Sequence, residues 1–116
     1  DKYRLFNATQ KALALRGDQI SNANYETGII FTTPRGIRLT PEIADCGKTM
    51  GLDYLKDNRT NSKIHFNIIV DNNKVTIKGM PTAEYRVGAV DQDMTLTCIS
   101  KGILEQNLLN DIKQAL

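Results

Sequence analysis

The sequence predicts an α+β domain: an antiparallel sheet of four or five strands, with an N-terminal and a C-terminal helix packed on one face. Two observations carry that prediction. Apolar residues recur at helical spacing at both ends of the chain, and the middle alternates between apolar and polar residues, Ile69 excepted, across a two-residue turn. One-faced strands need a covering layer, and two amphipathic helices supply one, leaving the other sheet face wet. A chain of 116 residues is close to the commonest domain size, so residues 1–116 are read as a single domain.

The first helix is predicted over residues 2–16. Leu5, Ala8, Ala12 and Leu15 form one stripe with Phe6 and Leu13 beside it. Gly17 is the natural C-cap, and Arg16 suits the negative end of the helix dipole. A strand follows over 20–25, then a turn at Glu26-Thr27-Gly28, then a β-rich run over 29–33. Pro34 and Gly36 interrupt that run, and residues 37–39 continue it after a bulge or bend. Residues 40–61 hold Pro41, Gly47 and Gly51 and read as a long loop with a helical turn near 41–44.

The clearest signal lies in residues 63–79. Ile64, Phe66, Ile68 and Val70 alternate with Lys63, His65, Asn67 and Ile69. After Asn72-Asn73, Val75 and Ile77 alternate with Lys74, Thr76 and Lys78. A two-residue Asn-Asn turn suits a hairpin because Asn tolerates positive φ. It pairs Val70 with Val75 and Ile68 with Ile77, making one face continuously apolar. A further strand is expected over 80–86 after Pro81, and another over 94–99 with Met94, Leu96 and Cys98 on one side. Ser100 is read as the cap of a last helix reaching Leu116, with Leu104, Leu108, Ile112 and Ala115 on one face and Leu109 and Leu116 widening it.

Composition excludes several function classes. Net charge is +2, the basic residues are scattered and only 6% of residues are aromatic, so no nucleic-acid partner is expected. No apolar run approaches the ~20 residues of a bilayer-spanning helix. Contact with a membrane is therefore expected only through a lipid anchor preceding Asp1. The two cysteines, Cys46 and Cys98, would also fit two buried free thiols. Cys46 lies in the loop-like Ala44-Asp45-Cys46-Gly47 and Cys98 at the end of a predicted strand just before a helix; this context favours a disulfide, which in turn favours a periplasmic or secreted protein.

No reactive constellation is legible, so no catalytic, cofactor-binding or metal-binding residue is assigned and no cofactor is expected. His65, the single histidine, falls on the polar side of a strand, and a Cys46–Cys98 bridge would deny it a thiolate partner. Two cysteines 52 positions apart with one histidine do not make a zinc spacing. Asp91-Gln92-Asp93 lacks the downstream Gly and Glu of a calcium loop. Pro34-Arg35-Gly36 lacks the ending of a phosphate loop. Arg16-Gly17-Asp18 spells an integrin-type tripeptide, but its glycine is better explained as a helix cap. Asn7-Ala8-Thr9 and Asn58-Arg59-Thr60 are glycosylation acceptors only in a secreted eukaryotic protein.

Phe6-Asn7-Ala8-Thr9-Gln10-Lys11-Ala12-Leu13, then Gly17 and Ile20, then Tyr25-Glu26-Thr27-Gly28-Ile29-Ile30 resembles a recurring pattern of small bacterial outer-membrane lipoprotein domains. These include domains related to the C lipoprotein of the β-barrel assembly machinery. The resemblance covers about thirty residues and implies a helix-grip-like fold, a location in the cell envelope and no catalytic residues. The 40–61 stretch and the cysteine pair depart from that pattern.

The resulting expectation is a non-enzymatic envelope domain, periplasmic or anchored to the outer membrane, that binds another envelope protein. Its expected surface is Lys63, His65, Asn67, Ile69, Thr76 and Lys78, with the 40–61 loop beside it; Ile69 is the one apolar residue in that set. Open sheet edges could also accept a partner strand. The alternative is a carrier of a small apolar ligand, with a pocket between helices and sheet. A third reading, an enzyme using Asp45 and Asp53, would need a cleft that brings them to His65.

Overall fold

The computed structural model describes residues 1–49, 52–53, 60–85 and 94–116. In chain order its elements are α1 (Lys2–Arg16), β1 (Ile20–Asn24), β2 (Ile29–Thr32), β3 (Arg35–Gly36), β4 (Ala44–Asp45), β5 (Lys48–Thr49), β6 (Leu52–Asp53), β7 (Thr60–Val70), β8 (Val75–Tyr85), β9 (Met94–Thr97), β10 (Ile99–Ser100) and α2 (Ile103–Ala115). The main sheet has six strands in the order β1-β2-β7-β8-β9, with β3 also on β7. Every pairing is antiparallel. The α+β class is as expected; the strand count exceeds four or five because Thr33-Pro34 breaks one run into β2 and β3, which both pair with β7. At the break, Thr32 Oγ1 accepts a hydrogen bond from the Phe66 N–H at 2.8 Å, so the ladder donor stranded by the interruption is satisfied.

The β7–β8 hairpin has the register read from the sequence: Val70 opposite Val75 and Ile68 opposite Ile77. The Asp71 N–H donates to the Lys74 carbonyl at 2.8 Å across the turn. That closing bond fixes the parity of the ladder, making Ile64–Pro81 a position without β7–β8 hydrogen bonds. Pro81 therefore sits inside one continuous eleven-residue strand, where a separate strand was expected to begin after it. Its missing N–H falls on the β9 side instead. The Pro81 carbonyl accepts from the Cys98 N–H at 3.0 Å, but no return bond can form, and β9 stops at Thr97. The strand expected over 94–99 is thus divided, and Ile99–Ser100 pairs with Ala44–Asp45 in a separate two-stranded sheet.

Both helices cover one face of the main sheet. Ile30, Ile64, Phe66, Ile68 and Val70 are fully buried there against Phe6, Leu13, Leu108 and Ile112. The α1 stripe is as expected at Ala8 and Ala12, which are buried, and at Leu5, which packs on the core, but not at Leu15. Phe6, Thr9 and Leu13 point inward, whereas Leu15 is 77% exposed. Two residues advance a helix by about 200°, so Leu13 and Leu15 cannot share a face. Thr9 is buried without an orphaned hydroxyl because its Oγ1 donates to the Leu5 carbonyl at 2.7 Å. Gly17 closes α1 at φ 85°, as expected of the left-handed cap.

The N-cap of α2 is Gly102, with no side-chain capping bond, rather than Ser100. Ser100 Oγ accepts from the Gly102 N–H and donates to Glu105 Oε1 at 2.5 Å, so it braces the first turn from outside. Within residues 40–61, Thr40 O accepts from the Ile43 and Ala44 N–H groups, giving the expected single turn. The β4 strand and the β5–β6 pairing replace part of the expected loop. Cys46 and Cys98, 52 positions apart, are joined in a disulfide. It ties this segment to the end of β9 and is worth about 4 kcal/mol in the chain-entropy account.

Candidate interaction surface

The outer face of the main sheet is assembled by register, and its rows follow from the strand pairings. Nearest the hairpin turn lie Asn24, Ile29, Ile69 and Thr76. The next row is Asn22, Phe31, Asn67 and Lys78. Then His65 faces Met80, and beyond it come Gly36, Lys63, Thr82 and Thr97. Asn61, Glu84 and Thr95 end the face. Alternation holds on β2, β7 and β8, where the intervening Ile30, Ile64, Phe66, Ile68 and Ala83 are buried on the helix side, whereas the edge strand β1 is exposed from Ser21 to Asn24.

All six residues read from the sequence lie in these rows. Lys63, Ile69, Thr76 and Lys78 are exposed, and His65 and Asn67 are half-buried. Three residues escaped the sequence reading: Ile29, Phe31 and Met80. Ile69 is not a solitary apolar side chain, because Ile29 stands directly across from it and Phe31 lies on the diagonal. Phe31 is 39% and Ile69 45% exposed, so a contiguous apolar patch meets solvent. The signal for Met80 was present, since it continues the outward series Thr76, Lys78; placing a strand break at Pro81 hid it. For Ile29 and Phe31 the signal was absent, because four consecutive β-favouring residues do not reveal which pair faces out.

His65 Nδ1 is buried and makes no hydrogen bond, with Met80 as its direct cross-strand neighbour. Asp45 lies instead on the small β4–β10 sheet, where its Oδ1 accepts from the Gly47 N–H at 3.0 Å. His65 and Asp45 thus belong to different sheets. The side chain of Asp53 and residues Asp57, Asp91, Asp93 and Asn58 lie outside the described residues. Among the described residues, no group of three or more His, Cys, Asp or Glu side chains is placed to hold a metal.

The Arg16-Gly17-Asp18 tripeptide is locked into the fold. Asp18 is 2% exposed. Its Oδ2 accepts from Arg16 Nε at 3.1 Å and its Oδ1 from Arg35 Nε at 2.8 Å, while Arg16 also reaches Asp111 Oδ2 at 2.6 Å. A carboxylate committed to two guanidinium groups in the interior cannot be offered to a receptor, so the motif serves to join α1, β3 and α2. Between α2 and β8, a groove of about 180 Å³ is lined by Val75, Ile77, Gly102, Glu105, Gln106 and Leu109. That is below the ~300 Å³ at which ordinary small-molecule sites begin; a larger hollow of about 350 Å³ lies between the two helices rather than between helices and sheet, lined by residues that include Lys11, Leu15, Arg16 and Asp111.

The sequence matches no family model, and comparison with curated proteins and with solved structures finds no match either. No helix of the described residues is long and apolar enough to cross a membrane. The disulfide is compatible with an extracytoplasmic location.

Proposed function

We propose that this chain is a non-enzymatic interaction domain of the bacterial cell envelope, the soluble part of a periplasmic or outer-membrane lipoprotein, which binds another protein through the outer face of its main sheet. The observation that carries this reading is the contiguous patch of Ile29, Phe31 and Ile69, with Met80 nearby, on a sheet face opposite both helices. Apolar patches rimmed by polar residues mark association surfaces. The N-terminal sequence resemblance and the Cys46–Cys98 disulfide support the compartment, since structural disulfides persist where the surroundings are oxidising.

Site-specific photocrosslinking in the native host tests the surface. A photoreactive phenylalanine analogue at position 31 or 69 is expected to give one discrete protein adduct, and the same group at the exposed helix positions Lys11 and Lys113 none. Adducts only from the helix layer would overturn the reading. The compartment is tested by a thiol count on unfolded protein taken from that host. No free thiol before reduction and two after it are expected; two free thiols from the start would remove the support for export.

A further inference from the structure

Resting on that reading, we infer that the partner presents an acidic amphipathic helix to the outer sheet face. Charge and dimensions both point to it. Lys78 shares the row of Phe31, and Lys63 lies two rows farther along the same face. Both are exposed, and neither carries an ion pair among the described residues. In the four rows from Ile29 to Lys63 no carboxylate appears; Glu84 lies in the fifth. The patch thus combines an apolar centre with two lysines on its flank, and its complement is an apolar stripe bordered by Asp or Glu.

The dimensions suit a helix. Strands lie about 4.8 Å apart, and residues two apart on one strand are separated by about 7 Å. Measured across the strands, β2 and β8 are therefore about 10 Å apart, the width of one helix with its side chains, while Met80 lies one row beyond Phe31 along them. Lys78 and Lys63 are separated by about 14 Å along the strands, within the ~20 Å length of a fourteen-residue helix. Two helices already cover the inner face, and a third on the outer face would complete a three-layer arrangement.

The test is selection of displayed random sixteen-residue peptides on the whole chain with its disulfide intact, followed by affinity measurement on the enriched sequences. Enriched peptides are expected to be net acidic, with apolar residues at i, i+3, i+4 and i+7. Phe31→Asp should abolish their binding. Lys63→Glu with Lys78→Glu should weaken it on the order of tenfold and make it less sensitive to salt. Circular dichroism of each variant verifies that the fold is retained. Enriched peptides lost with Phe31→Asp but showing no acidic bias would overturn the acidic partner and leave the interaction face standing. Peptides indifferent to all three substitutions, or no enrichment at all, would overturn both. Binding to phosphatidylglycerol vesicles without peptide enrichment would replace the helix with a lipid surface and overturn the inference.

Discussion

Alternate residues of β7 have opposite fates. Ile64, Phe66, Ile68 and Val70 are all fully buried beneath α1 and α2, while Lys63, His65, Asn67 and Ile69 remain partly or largely in solvent. The inner series follows from a local rule, since a period of two places every second residue on one face whatever its neighbours are. The outer series becomes a surface only through pairing with β2 and β8, which bring Ile29, Phe31 and Met80 beside it. Stability therefore resides in a pattern local to one strand, whereas the candidate binding chemistry resides in the register between strands.

The largest effect is expected on the inner face. Phe66 has no exposed surface and lies opposite Gly79, whose lack of a side chain leaves room for Glu105; a Cβ there would stand 3.0 Å from the Glu105 carboxylate. Phe66→Ala would leave a cavity at the centre of the helix–sheet contact and cost about 3–5 kcal/mol in denaturant unfolding. A loss under about 1 kcal/mol would show that the core is not continuous across this point and would break the contrast between the faces.

A smaller effect is expected where register itself is held. Gly28 has φ +75°, and a Cβ there would lie 2.1 Å from the Val70 carbonyl oxygen. Its own carbonyl accepts from the Val70 N–H at 2.8 Å, clamping the β1–β2 turn to the end of β7. Gly28→Ala adds left-handed strain of about 1–2 kcal/mol and forces the turn away from Val70. The expected outcome is a stability loss of about 2 kcal/mol or more, together with loss of the photoadduct from position 31. Lost stability with an intact adduct would separate the turn from the surface and show that another contact sets the Ile29–Ile69 pairing.

The same division explains what the sequence made legible. The β7–β8 hairpin could be read to the residue because Asn72-Asn73 and two alternating runs agree on one register. The α1 cap at Gly17 and the Cys46–Cys98 pairing were likewise readable from local context. Long-range consequences were not. The break at Pro34 was visible, but not that β3 would return to β7, or that Thr32 would satisfy the gap with its hydroxyl. In sequence, Pro81 marks a boundary because a proline rarely occupies a paired strand; only the ladder parity set at the distant Asp71–Lys74 closure makes that position tolerant. Asp18 gave no sign in the sequence that Arg35, 17 positions away, would join Arg16 around it. The six surface residues were recoverable from alternation alone, but the patch that gives them meaning depends on β2, which lies more than thirty positions earlier in the chain.

The smallest expected stability change belongs to the outer face and completes the contrast. Ile69→Ala removes a side chain that is 45% exposed and touches the core of neither helix layer. Its cross-strand contact with Ile29 contributes about 0.2–1 kcal/mol, so the unfolding free energy should fall by no more than about 1 kcal/mol. Phe31→Ala should behave alike, because Phe31 is 39% exposed and faces Asn67 rather than another apolar residue. Neither change should disturb the inner core. If the outer patch is an interaction surface, these two nearly silent substitutions will weaken partner capture far more than they weaken the fold. A loss of several kcal/mol from either would mean that this chain itself covers the outer face, and the patch would then be a second core.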